Sequence, residues 1–191
     1  MNQQVGRQFA LSLAVALAFS ACVTQRQVPF HEADFKWAAG KGSGTVNGQL
    51  VAGLTYVGWT GSHPETLVGH DEDIALLPAN AYTEESIQRK YIKGEKLADG
   101  DPHEAQYLRD GQTDDQGHFA FRDIPPGNYF VGAEVRWKTH YYHADDDNNL
   151  LKWTVWHTCM VYARVAVKNG QISTVTEWNE GKEKRTESQS D

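Results

Sequence analysis

The sequence predicts an all-β fold, a β-sandwich of about seven strands with one short helical insertion. Three stretches carry this expectation. Residues 128–142 alternate, with Tyr129, Val131, Ala133, Val135, Trp137, Thr139 and Tyr141 on one side. Residues 151–168 do the same with Leu151, Trp153, Val155, His157, Cys159, Val161, Ala163, Val165 and Val167. Strand side chains repeat every second residue, so each set lines one face, and these faces are the expected core. Residues 112–131 supply the third signal: a turn at Asp115-Gln116-Gly117, a short strand with Phe119 and Phe121, a stiff Pro125-Pro126-Gly127 turn, and Tyr129 and Val131 resuming the period of two. Glycine supplies positive φ in the first turn, and proline ends pairing at the second.

Residues 1–21 read as an export signal. Arg7 gives a short basic start, and residues 9–21 form an apolar run of about 13 residues, too short to span a bilayer. The run ends Phe19-Ser20-Ala21-Cys22, which resembles a bacterial lipobox with Phe19 where Leu is usual. That resemblance implies acylation of Cys22 and a lipid anchor, with an ordinary cleaved secretory signal as the alternative. Val23 stands where an Asp would favour the inner membrane, so the expected location is the cell envelope, at the outer membrane of a diderm bacterium.

Residues 22–41 then read as a tether, and 42–178 as the sandwich. A first strand is expected near 44–51, an irregular stretch or weak hairpin over 52–70, and a short apolar strand over 73–78, closed by Pro78. Thr83-Glu84-Glu85 is a helix-start signal with Thr83 as the cap, and a helix of about ten residues ending near Gly94 follows. Residues 95–111 are polar and read as loop, so that 79–111 form an insertion. Residues 145–149 join the two long strands as a hairpin. Asn169-Gly170 predicts a second hairpin turn into a last strand, and the charged residues 179–191 read as a disordered tail.

The 112–131 pattern resembles the carboxypeptidase regulatory-like family at Thr113, Asp114, Gly117, Phe119, Phe121, Ile124, Pro125, Gly127, Tyr129 and Val131. Gly69, Ile74, Leu76, Pro78 and Tyr82 are similar to a variant found in bacterial relatives of that module. The resemblance implies a transthyretin-like, Ig-like β-sandwich, usually a non-catalytic accessory module.

A formal charge of −7, moving to −8 once Arg7 leaves with the signal, argues against nucleic acid as a partner, because no basic stripe is present to neutralise phosphates. With Cys22 acylated, Cys159 has no partner; it reads as a buried core thiol, with an intermolecular or reactive role as the alternative. Metal ligation is the next candidate. His140 and His143 point to opposite strand faces, and Asp145, Asp147 and Asn149 start a calcium-loop spacing that fails at Leu150 and Trp156. His63, His70, Asp71 and Asp73 form a looser cluster. His103-Glu104 lacks the second His of a zincin, no Gly-x-Ser-x-Gly elbow or phosphate loop occurs, and no cofactor is expected.

The outward faces of the long strands carry the candidate binding residues: Phe130, His140 and Tyr142 on the first, and Trp156, Met160 and Tyr162 on the second, among charges. Either this face is open to a partner, or the 79–111 insertion covers it. The first reading is a lipid-anchored, non-catalytic envelope module engaging a protein partner through this face. The alternative is a carbohydrate- or peptidoglycan-binding module that uses the surface aromatics of a chain with six Trp. A purely structural role is the third.

Overall fold

Backbone pairing sorts the strands into two main layers. The computed structural model describes residues 23–58, 61–144, 150–181 and 183–190; the export signal, Cys22 and the 145–149 hairpin tip lie outside the described residues. In one layer, β1 (Gly44–Gln49) runs antiparallel to β6 (His118–Ile124) and parallel to β9 (Ile172–Val175). The other has the order β5 (Arg109–Gln112), β4 (Asp73–Pro78), β7 (Gly127–Ala144), β8 (Leu150–Val167), with β10 (Asn179–Glu180) and β11 (Lys184–Ser190) along the far edge of β8. A hairpin of β2 (Val51–Gly58) and β3 (Gly61–Val68) stands beside them. Helix is confined to α1 (Ala81–Glu85), its π-helical continuation Ser86–Ile92 and three short 3-10 turns. The fold is therefore the expected all-β sandwich. Among the described residues no helix is long and apolar enough to cross a membrane.

The alternation read from the sequence is the alternation of burial. Tyr129, Val131, Ala133 and Val135 of β7 and Val161, Ala163, Val165 and Val167 of β8 pack with Val46, Phe119, Phe121 and Ile124 of the facing layer in one core. The 112–131 segment shows why its polar residues matter. The buried Thr113 hydroxyl donates to the Gly69 carbonyl at 2.8 Å and accepts the Glu72 N–H at 2.9 Å, joining the turn to the start of β4. The Asp114 carboxylate accepts the N–H groups of His118 and Gln116, and that hydrogen bonding holds it below the usual carboxylate range. Gly117 has φ 78°. The Tyr129 hydroxyl donates to the Pro125 carbonyl at 3.0 Å, and burial pushes its pKa up to about 12. This buried tyrosine locks the Pro-Pro-Gly corner to the strand that leaves it.

Several expectations are corrected. More than seven strands are described, because Val51–Gly58 and Gly61–Val68 pair along their whole length as the hairpin alternative had it, 109–112 extends the sheet beside β4, and the tail is paired. Residues 179–180 and 184–190, expected to be disordered, add to the β8 edge. Pairing needs only backbone groups, so a charged, apolar-poor sequence hides it. Asn169-Gly170 does turn, with Gly170 at φ 65°, but no hairpin results: the chain crosses to the other layer, and β9 pairs with β1. The helix cap is Asn80, whose side chain accepts the Thr83 N–H at 3.0 Å; Thr83 is the reciprocal partner, accepting the Asn80 N–H at 3.1 Å.

The largest correction concerns 22–41. From Val23 onward this stretch is a strap packed on the domain. Thr24 bridges to Leu97. Phe35 is fully buried with Tyr82 and Tyr107 in a second small core that Val28 and Phe30 complete. Trp37 lies edge-on to Tyr129 at 5.1 Å, and its indole N–H donates to the Asp34 carbonyl. The strap's apolar residues lie in irregular backbone and around two short 3-10 turns, so they show neither the helical nor the strand period.

Trp37 also lies against Gly127, where φ is 158° and a Cβ would overlap the indole ring. Gly127→Ala is therefore expected to cost about 1–3 kcal/mol by overpacking and backbone strain, read by chemical denaturation. Unchanged stability would show that the strap does not press on this corner.

Candidate functional site

The outward face of β4, β7 and β8 contains a row of small residues. The register aligns Ala75 with Gly132 and Gly132 with Tyr162, one row away from Leu77, Phe130 and Arg164. Two neighbouring positions with little or no side chain make a depression in an otherwise bulky surface. Phe130, Leu77, Met160 and Tyr162 stand around it.

The insertion roofs this depression. α1 and its π-helical continuation lay Thr83, Ile87, Lys90 and Tyr91 over it, while Gly100, Glu104 and Leu108 close one side and Arg26 of the strap another. Arg164 of β8 pairs with Glu84 and lies over the Phe130 ring at 4.9 Å, tying roof to floor. The cavity measures about 280 Å³, near the lower end of small-ligand sites, which run from roughly 300 to 1,000 Å³.

A buried carboxylate holds the strap in place. Glu85 accepts the N–H groups of Gln27 at 2.7 Å and Val28 at 3.0 Å, and pairs with Arg89 at 2.7 Å. Arg89 also reaches Glu95 at 2.8 Å and the Gln25 carbonyl at 2.9 Å. Burial by itself would raise the Glu85 pKa, but the two N–H groups and the guanidinium outweigh it and hold the carboxyl below the usual glutamate range.

Arg26 is positioned with equal care. Its Nη1 donates to Ser86 Oγ at 2.9 Å, and its guanidinium lies over the Tyr82 ring at 4.3 Å. Its Nε is buried with no hydrogen-bond acceptor among the described residues. Ser86 Oγ donates onward to the Tyr82 carbonyl at 3.3 Å, so this lining hydroxyl is engaged in holding Arg26. Burial pushes the Glu104 carboxyl up, and the nearby Arg26 and Lys90 charges only partly oppose it. The lining thus offers apolar contact, aromatic faces and fixed charge, the chemistry of binding.

The six residues singled out on the outward face are divided by the structure. Phe130, Met160 and Tyr162 meet in the cavity, with Phe130 buried. Trp156 lies outside the roofed region, 47% exposed, with the Lys138 ammonium 5.9 Å from its ring centre. His140 is half-buried, its Nδ1 3.1 Å from Thr154 Oγ1, and the Tyr142 side chain and Cys22 lie outside the described residues. Of the open and covered alternatives, each holds for one part of the face.

Sequence reasoning missed Arg26, Lys90, Tyr91 and Glu104. Two signals were present: Glu85 and Arg89 lie one helical turn apart on a segment already read as helix, and Ala75 and Gly132 are small among bulky neighbours. Cys159 is buried, its thiol 3.3 Å from the Gly181 carbonyl, and burial pushes its pKa up. Among the described residues no three His, Cys, Asp or Glu side chains gather as a metal site; the His63 and His143 side chains and residues 145–149 lie outside that description.

The chain matches no protein-family model and no curated protein. Among solved structures it is similar to a crystal structure from Pseudomonas aeruginosa of a protein described as a "putative carbohydrate binding protein", with a TM-score of 0.55 and 24% identity over 76% of this chain and 97% of that one. The likeness is one of fold.

Glu85 predicts a pH dependence. Its folded pKa is depressed, so the stability it contributes is present above the ordinary glutamate range and is lost as pH falls through its lowered value. Amide exchange of residues 24–28 is expected to accelerate in acid before that of β7, and Glu85→Gln is expected to bring the same exposure at neutral pH. Equal protection in the variant would refute the role given to Glu85.

Proposed function

We propose that the protein is a lipid-anchored envelope module without catalytic activity, and that it binds a small carbohydrate in the cavity beneath the helical insertion. The observation that carries this reading is the cavity itself: about 280 Å³, enough for a single ring, with Phe130, Tyr91 and Tyr162 for apolar and stacking contact and charged groups at its margin. The name of the Pseudomonas aeruginosa protein that shares the fold points the same way. Kinship with the carboxypeptidase regulatory-like family is proposed on the same ground as before, and the binding reading fits an accessory module of that kind.

The anchor is proposed at Cys22. Thr24 is already paired with Leu97, so anchoring there would hold the domain close to the bilayer surface rather than at the end of a flexible leash. Protein engagement is the second reading, and the exposed Trp156 at the outer part of the β7–β8 ribbon favours it.

Two measurements test these readings. In a glycan array followed by calorimetry on the full chain, Tyr162→Ala is expected to weaken the bound sugar about tenfold, the loss of roughly 0.5–1.5 kcal/mol of ring contact, while Trp156→Ala leaves affinity unchanged. No retained glycan would sink the carbohydrate reading, and loss of a cross-linked protein with Trp156→Ala would favour the second. Cys22→Ala is expected to move the protein out of the membrane fraction; retention would refute the anchor.

A further inference from the structure

The charges at the cavity margin are unequal in a way that selects among sugars. Arg26 enters from the strap with one guanidinium nitrogen committed to Ser86 and its plane set against Tyr82. Its Nε has no acceptor among the described residues although it is buried. A buried donor left unpaired is costly, and a charged one more so, so this edge of the guanidinium is built for an acceptor. Lys90 lines the same cavity, its ammonium 5.1 Å from the centre of the Tyr91 ring. No ion pair joins Arg26 or Lys90 to a carboxylate among the described residues. The one carboxyl in the lining is Glu104, against the two cations Arg26 and Lys90. Two cations and one carboxyl line the cavity, a positive balance on a chain of charge −7.

We propose, resting on the carbohydrate reading above, that the ring held here is an acidic sugar, a hexuronate-class pyranose whose carboxylate is bound by Arg26 and Lys90. A carboxylate supplies the acceptor that Arg26 Nε lacks, through a charge-assisted hydrogen bond stronger than one to a neutral hydroxyl. A planar guanidinium held by stacking presents its free edge without further loss of side-chain freedom. The apolar floor of Phe130, Ala75 and Gly132 then takes the face of the ring, and the roof limits the site to one residue of a chain.

The experiment is a titration of the full chain, by calorimetry or amide shifts, with glucuronate and galacturonate beside glucose, galactose and the uronate methyl esters. Uronates are expected to bind at least tenfold more tightly than the neutral sugars and the esters, and the gap is expected to narrow with added salt. Arg26→Gln is expected to erase the preference, lowering uronate affinity at least tenfold to the level of the neutral sugars. Because Arg26 also packs on Tyr82, Lys90→Gln is the second variant, and it is expected to reduce the preference in part. Equal affinity for acidic and neutral rings, or a preference that survives both substitutions, would overturn this inference alone. Failure of every sugar to bind would overturn it together with the carbohydrate reading.

Discussion

The carboxylate of Glu85 is 8% exposed and accepts from two strap amides and one guanidinium. A buried charge is stable only when it is paired and hydrogen-bonded, and here the partners come from two segments nearly sixty residues apart in the chain. Satisfying Glu85 therefore requires the strap to lie along the helix. Once it does, Phe30 and Phe35 meet Tyr82 and Tyr107, and Arg26 reaches Ser86. The wall of the cavity and its unpaired donor both follow from where this one carboxylate is neutralised.

The sandwich itself leaves the site open to choice. Its core is made by the inward residues of β7 and β8, and those would pack the same way whatever stood on the outward face. Function enters through the exceptions on that face: Ala75 and Gly132, which leave room, and the insertion, which roofs it. A seven-residue π-helical stretch is rare and tends to mark functional sites. Here Ser86–Ile92 supplies Ile87, Lys90 and Tyr91 to the roof, which places the unusual backbone against the cavity.

The far edge of the larger sheet shows a different use of charge. β8 would end the sheet as a long unpaired edge, the kind of surface that recruits another chain. β10 and β11 cover it, and Glu183 between them stands 2.5 Å from the ring of buried His157, which stacks on Trp137. The charged tail protects the edge with backbone pairing.

The sequence by itself determined the class of fold, the inward faces of the two long strands and the turns at Gly117 and Gly127, because these rest on local rules: a period of two, proline stiffness and the freedom of glycine. It also marked Phe130, Met160 and Tyr162 as outward, since outward is simply the other phase of the same period. Only the tertiary structure decided that those three share a cavity while Trp156 does not, that residues 23–41 are a strap, and that the tail is an edge. Each depends on pairing between distant segments: Glu85 with Gln27 and Val28, Ala75 beside Gly132, and β11 along β8. Such contacts use backbone amides, small residues and buried charges, which leave no periodic trace along the chain.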